Sequence, residues 1–240
     1  MSDSLFNSLS DLDMLDVGGP GAHLPASVRV YAGLRRRIVS LELPPGMTLD
    51  RSALAEGYKV SQSPVREAIM RLEQEALVVS YPQSRTVVTR IDPERVAEEH
   101  FLRSSVESEV VRQLAERADK AATTKARGIL RMQEALSQDV EQTVLFRQLD
   151  DAFHEALFAG VNQLSLHRHI VSRGGHLTRV RSLDLPKEGK MRAVLEGHRA
   201  VLEAVEAGDG VAAGAAMRAH LSGTIERVAE LRRERPDYFI

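Results

Sequence analysis

The sequence predicts a mainly α protein in two parts: a small unit of three helices and a β-hairpin, then an all-α helical bundle. Three observations predict it. Apolar residues recur at helical spacing over most of the 240 residues. The β-prone runs 77–80 and 86–89 flank a single turn, Tyr81-Pro82-Gln83-Ser84-Arg85. From Asp92-Pro93 to the C-terminus no other convincing strand occurs.

Taken in order, residues 1–25 read as a flexible acidic arm ending in Gly18-Gly19-Pro20-Gly21. A helix over about 27–41 places Val28, Tyr31, Leu34 and Ile38 on one face and Arg29, Arg35, Arg36 and Arg37 elsewhere, and Pro44-Pro45-Gly46 forbids its continuation. Asp50 caps a second, short helix that buries Leu54 and Ala55 and ends near Gly57. A third opens with Ser63 as its cap and Pro64 at the first helical position, and it turns Val65, Ile69 and Leu72 inward. Beyond Asp92, helices are expected over about 93–118, 121–137, 140–159, 162–182, 189–207 and 209–233. Clear breaks lie at 183–189 and at Gly208-Asp209-Gly210.

Composition narrows the function classes. An apolar content of 43% is ordinary for a soluble globular protein, and the length suits two domains. The absence of cysteine excludes disulfides, thiolate metal sites and cysteine nucleophiles, so any metal must use His and carboxylates. Asp3, Asp11, Asp13 and Asp16 without a nearby base are wrong for a signal or transit peptide, and no apolar run approaches the ~20 residues of a membrane helix. A cytoplasmic protein that does not enter the membrane is expected. The net charge of −2 conceals a positive middle segment: residues 26–92 hold ten bases against seven acids. That excess is too small to identify a nucleic-acid binder by itself.

The third helix supplies what charge does not. Gln62, Ser63, Arg66 and Arg71 stay at its surface, able to reach base edges and phosphates, and a tight turn precedes it. Three helices with a hairpin make a winged helix-turn-helix over 26–92. The chain here resembles the GntR regulators, within them the FadR-like subgroup with an all-helical effector-sensing FCD domain. The first match rests on Leu43-Pro44-Pro45-Gly46, Leu54-Ala55, Val60 through Ala68, and Arg71-Leu72-Glu73. The second rests on Leu102-Arg103 with Glu107, Asp150 through His154, Asn162, Glu196 with His198, Gly208-Asp209, and Met217 through Leu221.

The resemblance implies that Arg51, Ser61, Gln62, Ser63, Arg66 and Arg85 contact DNA, with Arg35, Arg36 and Arg37 near phosphates at most. It also implies an effector- and metal-binding domain over 93–240. Two residues depart from the family pattern: Gln62 stands where Arg is usual, and Arg85 where Gly is frequent. Gln pairs bidentately with adenine whereas Arg favours guanine, so the operator sequence of relatives does not transfer.

Spacing bears on the second site. Asp150 and His154 are four residues apart on one helix and can share a cation; Asp151, three residues from His154, could replace Asp150. In one continuous helix His198 and His220 would stand roughly 33 Å apart, but a reversal at Gly208 brings them level on adjacent helices. Three imidazoles and a carboxylate suit Zn²⁺, Ni²⁺ or a related divalent ion, and the family pattern selects Asp150, His154, His198 and His220 as the ligands. Arg103 reads either as an ion-pair partner of Glu107 or, by the resemblance, as the anchor of an effector carboxylate. His176 and Arg179 could approach the pocket, while His23, His100, His167 and His169 read as surface or packing residues.

The expected function is sequence-specific transcription regulation, as a repressor, without catalytic residues. A small organic acid bound at the metal would alter operator binding, and a homodimer would read a short palindrome of double-stranded DNA. The alternatives are a metal-dependent hydrolase using the Asp/His₃ set and a pure metal sensor.

Overall fold

The computed structural model describes residues 24–82, 84–117, 121–137, 139–187 and 189–240. The arm expected over 1–25 therefore lies outside the described residues apart from Leu24 and Pro25, as does His23. The chain divides into two compact units between Arg90 and Ile91.

The first unit runs α1 (Ala26–Val39), β1 (Thr48–Leu49), α2 (Arg51–Gly57), α3 (Gln62–Gln74), β2 (Val78–Ser80) and β3 (Thr86–Val88). The inward stripe of α1 is Val30, Leu34 and Ile38, while the expected Val28 and Tyr31 are only half-buried. Arg71 of α3 lies over the Tyr31 ring at 4.0 Å, and Arg35 bonds Glu75 at 2.7 Å, fastening α1 to α3. Asp50 caps α2, its carboxylate accepting from the amides of Ser52 and Ala53. The turn into α3 closes with Lys59 at φ 53°, where the Val60 amide donates to the Ala55 carbonyl and the Lys59 amide to the Glu56 carbonyl.

The start of α3 differs from expectation. Its cap is Ser61, in extended conformation, which makes Ser63 the second helical residue and Pro64 the third. Any of the first four helical amides lacks an intrahelical acceptor, so proline fits at the third position as well as at the first. The wing pairs β2 with β3 antiparallel, Val78 opposite Val88, and β1 joins at the other edge of β3. Two residues carry no readable alternation, which hid β1 in the sequence.

The second unit comprises α4 (Pro93–Ala115), α5 (Ala121–Leu136), α6 (Thr143–Gly160), α7 (Leu164–Arg173), α8 (Gly175–Asp184), α9 (Lys190–Glu206), α10 (Gly210–Ile225) and α11 (Val228–Glu234). A 3₁₀ turn, Val140–Gln142, precedes α6, and another, Pro236–Tyr238, follows α11. Its core gathers Phe146, Phe153, Leu157, Val201, Leu202 and Met217. Two helices expected to be continuous are broken. The stretch 162–182 divides at Gly174, which ends α7 and starts α8. The stretch 209–233 divides at Glu226–Arg227, where no Gly or Pro marks a break. Tertiary contacts set that second break: Leu231 buries with Leu177 and Val180 of α8, and Arg227 bonds the fully buried Asp184 at 2.7 Å. An unexpected β-bridge joins Phe239 to Ile91, whose amide donates to the Tyr238 carbonyl at 2.7 Å.

Candidate functional site

In the first unit, α3 exposes Ser61 at its cap and Gln62, Ser63 and Arg66 along its first turns, while Val65, Ala68, Ile69 and Leu72 hold its other face in the core. These four polar residues share one surface. The amide of Gln62 is 3.3 Å from Ser52 Oγ on α2. Arg51 begins α2, but its guanidinium donates to Thr86 Oγ1 at 2.9 Å and Ser80 Oγ at 3.1 Å, tying that helix to the wing. Arg85 is exposed in the wing loop beside the Tyr81 ring. Of the three consecutive arginines, Arg35 is engaged by Glu75 and Arg37 by Glu42.

In the second unit, α6, α9 and α10 bring Asp150, His154, His198 and His220 together, with one donor atom of each within 4.8 Å of the others. The reversal at Gly208 (φ 74°) returns α10 along α9, and the rings of His198 and His220 come to 4.6 Å between centroids. His154 Nε2 lies 3.4 Å from His220 Nε2 and 4.0 Å from Asp150 Oδ2, and His198 Nε2 lies 3.2 Å from Asp150 Oδ1. Four donors at roughly 2.1 Å around one tetrahedral ion would stand roughly 3.4 Å apart, so the cluster is close to coordinating size. Asp151 is exposed and lies outside the cluster.

The groups behind the donors fix their orientation. Glu107, buried on α4, meets His154 Nδ1 at 2.5 Å, and Gln133 Oε1 meets His198 Nδ1 at 2.9 Å. Both contacts place the ring proton on Nδ1 and direct the Nε2 lone pair into the cluster, the usual support of a metal-binding imidazole. Burial pushes His198 down to about 4. His220 is also held well below the ordinary imidazole value, by burial and then by His198 and His154. Burial opposes ionisation of Asp150, yet the Arg181 guanidinium holds it well below the usual carboxylate range. Near neutral pH, these three donors offer two lone pairs and a negative charge, and the set could hold a divalent cation.

A cavity of about 580 Å³, counting its open mouth, adjoins the cluster and includes Asp150 and His220 in its wall. Arg103 lines it while bonding Glu107 through Nε at 2.5 Å, the ion pair that the four-residue spacing offered. His100, expected at the surface or in packing, lines it too. His176 and Arg179 are not among the described residues of the wall: buried His176 accepts from the Asp92 amide at 3.0 Å, and Glu99 is the charge facing Arg179.

Residues 26–88 match the family "Bacterial regulatory proteins, gntR family", and residues 98–223 match the FCD domain. The chain belongs to the GntR family. It is a transcription regulator with a helix-turn-helix unit that binds DNA and an FCD effector domain, not an enzyme. This GntR regulator is 34% identical to an uncharacterized HTH-type transcriptional regulator in an unstable DNA locus of Streptomyces ambofaciens, over 88% of each chain. It is 28% identical to the HTH-type transcriptional repressor RspR of Escherichia coli, over 90% of this chain and 94% of that one. The structure of E. coli McbR/YncC shares the fold, with a TM-score of 0.68 at 20% identity over 88% of this chain and 99% of that one. No helix of the regulator, among the described residues, is long and apolar enough to cross a membrane.

Several residues of the GntR regulator's second site were missed by sequence reasoning. Gln133 carried a signal: it is the polar member of an apolar stripe with Ala126, Ile129 and Leu130. Arg181, which bonds both Asp150 and Asp151, carried none, because the break at Gly174 resets the register of α8. Arg147 and Lys190 also line the cavity wall, and no motif or spacing in the sequence sets them apart from other helix bases.

Proposed function

We propose that this GntR regulator is a homodimeric repressor that releases a short palindromic operator when a small organic acid binds beside a divalent metal. Residues 26–92 form its DNA-binding domain, with Arg51, Ser61, Gln62, Ser63, Arg66 and Arg85 as contacts, and 93–240 form its effector domain. Asp150, His154, His198 and His220 hold the ion. Zn²⁺ is the favoured ion and Ni²⁺ the alternative, since three imidazoles and one carboxylate suit both. Arg103 anchors the acid through its planar guanidinium. A dimer follows from the few base pairs one helix can read.

One observation carries this reading: the Asp/His₃ cluster opens into a cavity that Arg103 also lines. A pure metal sensor needs the cluster but not the cavity. The experiment is a melting-temperature screen of organic acids on metal-loaded protein, followed by gel shifts with operator DNA. An acid that raises the melting temperature should weaken operator binding by roughly 5–150-fold, and operator should weaken the acid's binding equally. DNA release on chelation alone, with no acid having any effect, would instead make the metal the signal.

A further inference from the structure

The geometry points to a short aliphatic dicarboxylate as the effector, one carboxylate at the metal and Arg103 and the other at Lys190 and Arg147. The inference deepens the reading above and rests on it.

Placement along α9 is the first observation. Lys190, Val194 and His198 recur every four residues on one helix face, and Lys190 is roughly 12 Å along the axis from His198. The cavity wall includes Lys190 and Val194, so one side runs from a cation across an apolar residue toward the metal donors. Facing helices continue this pattern. Leu177 of α8 and Leu185 just past its end flank Arg181, Leu221 of α10 follows His220, and Arg147 stands one turn before Asp150 on α6.

Charge is the second observation. Arg103 faces Glu107, Arg181 faces Asp150 and Asp151, and Lys190 bonds Asp184 at 2.7 Å. Arg227 also bonds Asp184 and pairs with Glu230, while Arg147 donates to Ser182 Oγ at 2.8 Å and feels Asp151 and Asp150. Five cations therefore stand against five carboxylates: Glu107, Asp150, Asp151, Asp184 and Glu230. Of these, Arg103, Arg147, Arg181, Lys190 and Asp150 line the cavity and the others pair with them from behind; the balanced set gains two positive charges with a divalent ion. A ligand bearing two carboxylates cancels that charge where it arises, whereas a monocarboxylate leaves one buried charge uncompensated.

Neutral hydrogen-bonding capacity is the third. Among the described residues of the wall, Thr224 is the sole hydroxyl, and Leu177, Leu185, Val194 and Leu221 line it beside the charged groups. A polyhydroxylated sugar acid would bury hydroxyls against these side chains without partners. An aliphatic spacer fits them.

Calorimetry on Zn²⁺-loaded protein tests this with succinate, glutarate and adipate, the monocarboxylates butyrate, valerate and hexanoate, and gluconate. At least one dicarboxylate should bind about 10- to 100-fold more tightly than the monocarboxylate of equal length and than gluconate. Lys190→Gln and, separately, Arg147→Gln should shrink that ratio, weakening dicarboxylate binding more than monocarboxylate binding, and Lys190→Arg should restore it. Each variant's melting curve establishes that it folds. Gluconate or a monocarboxylate binding as tightly as every dicarboxylate, or a ratio indifferent to both substitutions, overturns the dicarboxylate assignment alone. If no carboxylate binds metal-loaded protein, the organic-acid reading fails with it.

Discussion

A methyl group placed on Gly197 would stand 2.5 Å from Nδ1 of His220, so the bare backbone of α9 is what lets that imidazole reach the cluster. Alanine at this position favours the helix by about 1 kcal/mol, yet it must push the ring aside. Gly197→Ala should therefore keep or raise helix content while weakening metal binding by about 10- to 100-fold, the usual range for support of a ligand. Competition against a chelator measures it. Unchanged affinity would mean that His220 is not a ligand.

Removing donors should do more. His154→Ala, His198→Ala and His220→Ala should each lose the one metal expected per protomer, as read by elemental analysis of protein purified without a His tag. Glu107→Gln should retain the metal but hold it less tightly, since the amide gives a weaker partner to His154 Nδ1. Equal metal content in the wild type and all three histidine variants would make these imidazoles structural.

Acid should destabilise the metal-free protein in a defined window. His198 has its pKa lowered from 6.5 to about 4 by burial, and His220 is lowered as well. The unfolded chain then binds more protons than the folded one, so stability is full above pH 6.5 and is lost as pH falls from there toward about 4. Chemical denaturation of stripped protein across that range checks the sign. His198→Gln should flatten the slope, and stability that rises on acidification would refute the neutral-imidazole assignment.

On the DNA side, Arg66→Ala should weaken operator binding about tenfold or more without unfolding the protein, because Arg66 is exposed and off the core face of α3. Gel shifts at near-physiological salt decide it, with unchanged affinity counting against the contact. Gln62→Arg should keep phosphate attraction but redirect base preference, so selection from randomised operators should return different consensus sequences for the two proteins.

Much of the architecture follows from short-range chemistry and was legible before any coordinates. Asp50 and the proline and glycine breaks delimit the small helices, and the alternation around residues 77–89 gives the wing. One turn of helix is enough to put Asp150 beside His154, and Gly208 is enough to return α10 along α9. Longer-range partnerships left no such trace. Glu107 orients His154 from 47 residues away in sequence, Gln133 orients His198 across 65, and Arg181 reaches back 31 to Asp150. The split of the last long helix likewise depends on Leu231 and Arg227 meeting α8. Periodicity tells which face of a helix is buried, but only packing decides which polar groups of different helices share that interior. There each buried charge or ring nitrogen must find a partner.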